Sequence, residues 1–252
     1  MAITETIQNC ALTMGAGRRF KDLRIGLGYT AASLETGETG LAYTFLPAVK
    51  GNCTLVPDIP AAALFLAEDL VSMITRSDFI HAAVGLAAAN ALFHLEPGNL
   101  TEGDVLDRIS LGPDDQVGMV GDFAPLVGRL RQKAGRLLIF EQIPRADGRA
   151  LPSSEIRNRL PECSVALVTA TSIINGSFDA IMEAAAGCRE VIVLGASTPL
   201  RAEVFQDTPV TCLSGVQVTD PAEILRVVSL GGGMRRFKHG IRKVNLRITS
   251  RP

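Results

Sequence analysis

Hydroxyl, amide and carboxylate side chains gather at four places in this sequence, each directly after an apolar run rich in β-branched residues. The densest follows Val165–Val168: Thr169, Thr171, Ser172, Asn175 and Ser177, with Gly176 among them. Gln116–Val120 leads into Gly121, Asp122 and Phe123. Arg136–Phe140 ends in Glu141, and Glu190–Leu194 leads through Gly195 to Ser197 and Thr198. In an open parallel sheet, ligands bind beyond the carboxyl ends of the strands, where a loop enters the next helix. Short polar groups and free helix N–H groups at such ends suit a small anion or the polar head of a ligand. Glu141 is the candidate base or cation partner and Asn175 the candidate orienting amide. Gly121, Asp122, Phe123, Thr169, Thr171, Ser177, Ser197 and Thr198 are candidate binding residues.

Each candidate has a plainer alternative. Asp122 suits the N-cap of a following helix, and so do Thr171 and Ser172. Glu141 stands twenty residues after Gly121, the spacing at which an acid binds a ribose hydroxyl in nucleotide-binding sheets. It also suits a strand-end ion pair with Arg145 or Arg149. The first turn lacks the G-x-G-x-x-G pattern of a dinucleotide site.

The first half supplies further candidates. Asn52 and Cys53 lie in a loop-like Gly51–Thr54 segment, and Asn90 in an Ala- and Gly-rich stretch, Ala82–Ala91. A buried amide there needs partners. Cys53 is a nucleophile, a soft-metal ligand or an inert thiol. His81 and His94 stand thirteen apart, which is not an i, i+4 metal pair. The five cysteines are scattered without C-x-x-C spacing, so neither a disulfide framework nor a zinc knuckle is expected.

The elements that position these residues follow from periodicity. Ile3–Met14 reads as a helix started near Thr4. Arg24–Leu34 and Gly40–Leu46 read as a hairpin turning at Thr36–Gly40. Pro60–Met73 and Ser77–His94 read as helices, with Ser77 as a cap. Breaker-rich segments between residues 96 and 114 divide the chain, giving expected domains 1–110 and 111–252. Beyond them strand and helix alternate. Strands are expected at 116–121, 136–141, 164–169, 190–195 and 210–218. Helices are expected at 124–133, 154–160, 173–186 and 222–230. Alternation of this kind requires crossovers, hence a doubly wound parallel sheet. The fold class is α/β: an N-terminal α+β domain, then a parallel-sheet domain.

Twenty-five Lys and Arg against 26 Asp and Glu give a net charge of −1, so no global field favours nucleic acid or an anionic membrane. The basic run from Arg235 to Arg251 reads as a solvated tail or a final strand. Neither a signal sequence nor an apolar run of spanning length is visible, so a cytoplasmic protein is expected. A homodimer is the base-rate expectation.

Four segments of the second half together resemble the uncharacterised bacterial and archaeal family named for heavy-metal chelation. They are Val120–Leu126, Phe140-Glu141 with Pro144, Thr169–Ser177 and Leu194–Leu200. In the first half the resemblance lies in Gly28–Ala31, Gly40–Ala42, Gly51–Cys53 and Gly85–Leu92, and in all it spans about residues 3–240. The sequence has Gly195-Ala196 where that family commonly has Gly-Pro, and Ser177 where it commonly has Thr. The resemblance implies an enolase N-terminal-like domain, a Rossmann-like domain and a small-molecule or metal-chelate site in the cleft between them. The metal, a transition-metal ion if any, is unspecified. A nucleotide- or S-adenosylmethionine-dependent transferase and a non-catalytic binding protein associated with metal uptake are the alternatives, so catalysis is left open.

Overall fold

The computed structural model describes residues 1–45, 59, 64–94, 100–143 and 148–248. Asn52 and Cys53 lie outside the described residues.

A stripe of Ile3, Ile7 and Ala11, spaced four apart, buries one face of helix α1 (Ile3–Met14). Glu5, not Thr4, ties its start by accepting the Ala2 amide at 3.2 Å. Strands β1 (Arg19–Ile25), β2 (Tyr29–Leu34) and β3 (Thr39–Tyr43) follow, then β4 (Phe65–Leu66). They form an antiparallel sheet ordered β3-β2-β1-β4. The segment expected as one strand from Arg24 is broken at Gly26–Gly28, where the Gly26 amide donates to Tyr29 O at 2.9 Å. Of the helix expected over 60–73, residues 60–63 lie outside the described residues. Leu66 is still strand, and only α2 (Ala67–Val71) is α-helical, running into a 3₁₀ turn at Ser72–Thr75.

Helix α3 (Phe79–Leu92) is capped by Asp78 rather than Ser77: the His81 amide donates to Asp78 Oδ1 at 3.0 Å. Strands β2 and β3 and helix α3 are buried almost throughout, and β2 shows why. Its even residues Ala32 and Leu34 join Ala42 in the core under α3, while Ala31 and Leu41 face a second cluster on the other side.

The second sheet comprises β5 (Thr101–Glu102), β6 (Gln116–Val120), β7 (Arg136–Glu141), β8 (Leu151–Pro152), β9 (Val165–Thr169), β10 (Glu190–Leu194), β11 (Cys212–Val218) and β12 (Ile241–Arg247). Its order is β5-β12-β11-β10-β9-β6-β7-β8. The six strands β6 to β11 pair in parallel, as expected. β12 and β5 are antiparallel, so the sheet is mixed rather than wholly parallel. The basic run therefore includes a strand, β12, in which Arg242 and Arg247 pair with Glu102 at 2.8 Å and Glu190 at 2.7 Å. The strand order reverses direction between β6 and β9, the topological switch at which such sheets open a crevice.

Helices α4 (Ala124–Lys133), α5 (Ile156–Arg159), α6 (Thr171–Ile174), α7 (Phe178–Ala184), α8 (Pro221–Ser229) and α9 (Met234–Phe237) complete the described chain. The single helix expected over 173–186 is two, α6 and α7, separated by Asn175-Gly176-Ser177 with Gly176 at φ +73°. That backbone favours glycine. Helix α8 packs on the small sheet, where Ile224, Val227 and Val228 meet Ala31 and Leu41. No described helix is long and apolar enough to cross a membrane.

Candidate functional site

The strand ends at the switch are tied to one another before any ligand is considered. Gly121 follows β6 with φ +94°, and a Cβ there would lie 3.0 Å from Thr169 Cβ at the end of β9. Glycine is thus required both by the turn and by the close approach. The next amide, of Asp122, donates to Glu141 Oε1 and joins the ends of β6 and β7. Asp122 does not cap α4; Phe123 takes the N-cap position without a side-chain bond.

The β9 end is ordered by its own hydroxyls. Thr169 Oγ1 lies 2.9 Å from Thr171 Oγ1 and accepts the Thr171 amide at 3.3 Å, while Ser172 Oγ donates to Thr169 O at 2.7 Å. Asn175 Oδ1 accepts both the amide and the hydroxyl of Ser177, at 3.1 and 2.7 Å. These bonds use the oxygen of Asn175 and leave its NH₂ as the group to offer a ligand.

Together these ends form the inner wall of a cleft of about 770 Å³, within the range of small-molecule sites. Gly121, Asp122, Phe123, Glu141, Thr169, Thr171, Asn175 and Ser177 all line it. Tyr43 and Phe45, from β3 and the residues after it, line it from the other sheet. Their rings stand edge to face, 5.0 Å between centroids, and Tyr43 meets Tyr29 in the same way at 5.7 Å. Burial, with the neighbouring Tyr43, pushes the Tyr29 phenol up to about 12. Arg157 of α5 and Glu183 of α7 stand exposed at the outer edge. A smaller chamber of about 250 Å³ shares Asp122 and Glu141 with the cleft and is otherwise lined by Val127, Ile139, Ile143, Arg149 and Ala150.

Three candidates are not brought to the cleft lining. Ser197 Oγ accepts the Tyr43 amide at 2.8 Å, Thr198 Oγ1 donates to Ser214 O at 3.1 Å, and Asn90 Nδ2 donates to Leu41 O and Ser197 O. Ser197 and Asn90 fasten the turn after β10 to β3 and α3, while Thr198 ties the same turn to β11 within the second sheet. Conversely, Tyr43, Phe45, Gln142, Ser153, Ser154 and Arg157 line the cleft without having been expected. Of these, only Arg157, a cation in a short helix after a strand end, carried a visible signal in the sequence.

Among the described residues, no three His, Cys, Asp or Glu side chains come together as a metal site. His81 is buried with Nδ1 2.7 Å from the Asp78 carboxylate. Burial opposes ionisation of Asp78, but the His81 amide and ring outweigh it and hold this carboxyl below its ordinary value.

Two family models, both described as "putative heavy-metal chelation", match residues 8–93 and 104–247. The chain belongs to this family. An uncharacterized protein of Methanocaldococcus jannaschii is 22% identical over 186 residues, covering 72% of this chain and 71% of that protein. Two family crystal structures of unknown function share the fold. The one from Pyrococcus horikoshii has TM-score 0.86 at 21% identity and covers 98% of this chain and 100% of that one. The one from Desulfitobacterium hafniense DCB-2 has TM-score 0.78 at 21% identity, covering 96% and 98%.

Proposed function

We propose that the protein binds a small organic chelator, or a metal already held by one, in the cleft between its two sheets. The observation that carries this reading is the convergence of three strand ends, through Gly121, Glu141 and Thr169, on one cavity, in a member of a family described by heavy-metal chelation. Among the described residues, the groups facing that cavity do not fit a bare heavy-metal ion: they are carboxylate, hydroxyl and amide groups with the Arg157 guanidinium, whereas soft metals select thiolate and imidazole. The metal is therefore cargo, held by its chelator. The protein recognises the organic periphery through the Asn175 amide, the Thr169–Thr171 hydroxyls and the rings of Tyr43 and Phe45.

The same reading takes residues 1–110 as an enolase N-terminal-like domain and 111–252 as a Rossmann-like one; the reversal of strand order at β6 and β9 supports the second. Glu141, engaged by the Asp122 amide, is a hydrogen-bond and cation partner for the ligand.

Isothermal titration with Ni²⁺, Co²⁺, Fe²⁺ and Zn²⁺, each bare and as its citrate and histidine complex, tests this. Saturable binding of a complex, weakened in Asn175→Ala and stronger than that of the bare ion, is expected. Absence of any binding tighter than about 1 mM, a free energy of about −4 kcal/mol, would overturn it.

A further inference from the structure

We propose that the inner corner of the cleft is a subsite for a nucleoside without phosphate, its ribose hydroxyls on Glu141 and Asp122 and its base in the smaller chamber. This rests on the reading of the cleft as the binding site and names the class of ligand that enters it.

Three independent placements lead to it. First, the strand order β8-β7-β6-β9-β10-β11 is, in chain order, third, second, first, fourth, fifth, sixth. Sheets of that order bind nucleotides across the crevice between their first and fourth strands, here β6 and β9. Second, Glu141 ends the second strand, the place from which a carboxylate reaches a ribose diol. A carboxylate is acceptor-only, so one oxygen receives the Asp122 amide and the other is open to a hydroxyl donor. Third, the chamber on the far side of Glu141 is about 250 Å³; Val127, Ile139, Ile143 and Ala150 give it apolar surface for the face of a flat ring, and Arg149 lines it beside them as a polar partner for the ring's edge. Asp122 and Glu141 line both spaces, so a ligand passing between them extends from the chamber into the main cleft.

The same corner rejects phosphate. A pyrophosphate in such a sheet sits on the free amides of the first turn and helix. Here the Asp122 amide is committed to Glu141, the Phe123 amide to Gly121 O at 3.1 Å, and Pro125 has none. Two carboxylates flank the position. The missing glycine pattern is thus accounted for: the turn was not built for an anion. Among the described residues, the cation lining the main cleft is the exposed Arg157, and Arg149 lines the smaller chamber, so a negative group on the part of the ligand that extends into the main cleft has Arg157 as its partner. Adenosine carrying an amino-acid tail, as in S-adenosylmethionine, has that distribution.

Titration calorimetry of the full-length protein with adenosine, S-adenosylmethionine, S-adenosylhomocysteine, ATP and NAD tests the proposal. The phosphate-free nucleosides should bind. ATP and NAD should bind at least about tenfold more weakly, the loss expected when a charge meets acceptors instead of donors. Glu141→Gln should weaken adenosine binding by roughly tenfold to a hundredfold, the range for a hydrogen bond to a charged group. Ala150→Phe, which fills the chamber, should abolish it. Both variants are checked for an unchanged urea midpoint; if Glu141→Gln fails to fold, Ala150→Phe decides. No nucleoside binding, binding indifferent to Ala150→Phe, or ATP binding tighter than adenosine overturns the proposal. If metal complexes still bind and Asn175→Ala weakens them, the reading of the cleft stands and only the nucleoside falls.

Discussion

The amide of Tyr43 in the first sheet donates to the hydroxyl of Ser197, in the turn that follows β10 of the second, at 2.8 Å, across 154 residues of sequence. Asn90 secures the same joint by donating to Leu41 O and Ser197 O at 2.8 and 3.1 Å. Tyr43 is also a wall of the cleft, so the joint fixes that wall against the strand ends opposite. Ser197→Ala leaves a half-buried amide without its acceptor, a loss of about 1–3 kcal/mol. The expected fall in Tm is roughly 2–4 °C per kcal/mol for a chain of this size. A thermal scan that leaves Tm unchanged would show that the joint contributes nothing to stability.

Helix α3 is pressed against backbone on two sides, and glycine makes both contacts feasible. A Cβ on Gly40 would lie 2.1 Å from Ala87 O and 2.3 Å from Ala91 N, and one on Gly85 would lie 2.2 Å from Ile74 N. Backbone atoms of a packed helix cannot yield by such distances. Gly40→Ala and Gly85→Ala should each destabilise by more than about 4 kcal/mol, among the largest single-residue effects. Gly128→Ala, in exposed α4 with open space around it, should stabilise by about 0.5–1 kcal/mol. Urea midpoints of the three variants decide the matter; equal effects would contradict the packing argument.

The close approach at α3 was legible in its alanine and glycine content, and the strand ends of the second sheet in runs such as Val165–Val168. Those runs are buried on both faces, as central parallel strands are. β1 was not legible. Arg19–Ile25 carries four charges, and the adjacent Lys21 and Asp22 interrupt the alternation that marks a half-buried strand; its break from β2 is set by α8: a Cβ on Gly26 would lie 2.3 Å from Val228 O, two hundred residues on. Ser197 and Thr198 looked like cleft residues because a short hydroxyl after a strand serves a ligand or a neighbouring backbone equally well. Only the placement of β3 beside that turn separates the two uses. Tyr43 and Phe45 escaped notice for the same reason, since an aromatic at a strand end is ordinary until a second sheet turns it toward a cavity.

Asp115 binds three parts of the second sheet: the Ser164 hydroxyl at 2.7 Å, the Gly112 amide at 2.8 Å and Arg189 at 2.8 Å. The Ser164 hydroxyl, then the Gly112 amide and Arg189, hold its carboxyl below the ordinary value. A carboxyl depressed in the folded state stabilises above its unfolded pKa, about 3.9, and that contribution fades as pH falls through the folded value. Asp115→Asn should therefore be less stable than wild type at pH 7, and the difference should shrink below about pH 4. Urea unfolding at pH 7 and at successive acid pH values measures it. A gap that widens on acidification would reverse the sign of the argument.

Burial governs the thiols. It pushes Cys188 and Cys212 up to about 11 and raises Cys163 as well. Cys188 Sγ donates to Cys163 O at 3.2 Å, and Cys212 sits in the core beneath the second sheet. At pH 8 a thiol of pKa 11 is thiolate in only about one molecule in a thousand, and the thiolate is the nucleophile. Iodoacetamide at pH 8, followed by peptide mass mapping, should leave Cys163, Cys188 and Cys212 unmodified in the native protein and modify all three in urea. Native labelling of Cys188 or Cys212 within minutes would mean that these strands open far more readily than their packing implies. Such opening would expose the floor of the sheet on which the cleft is built.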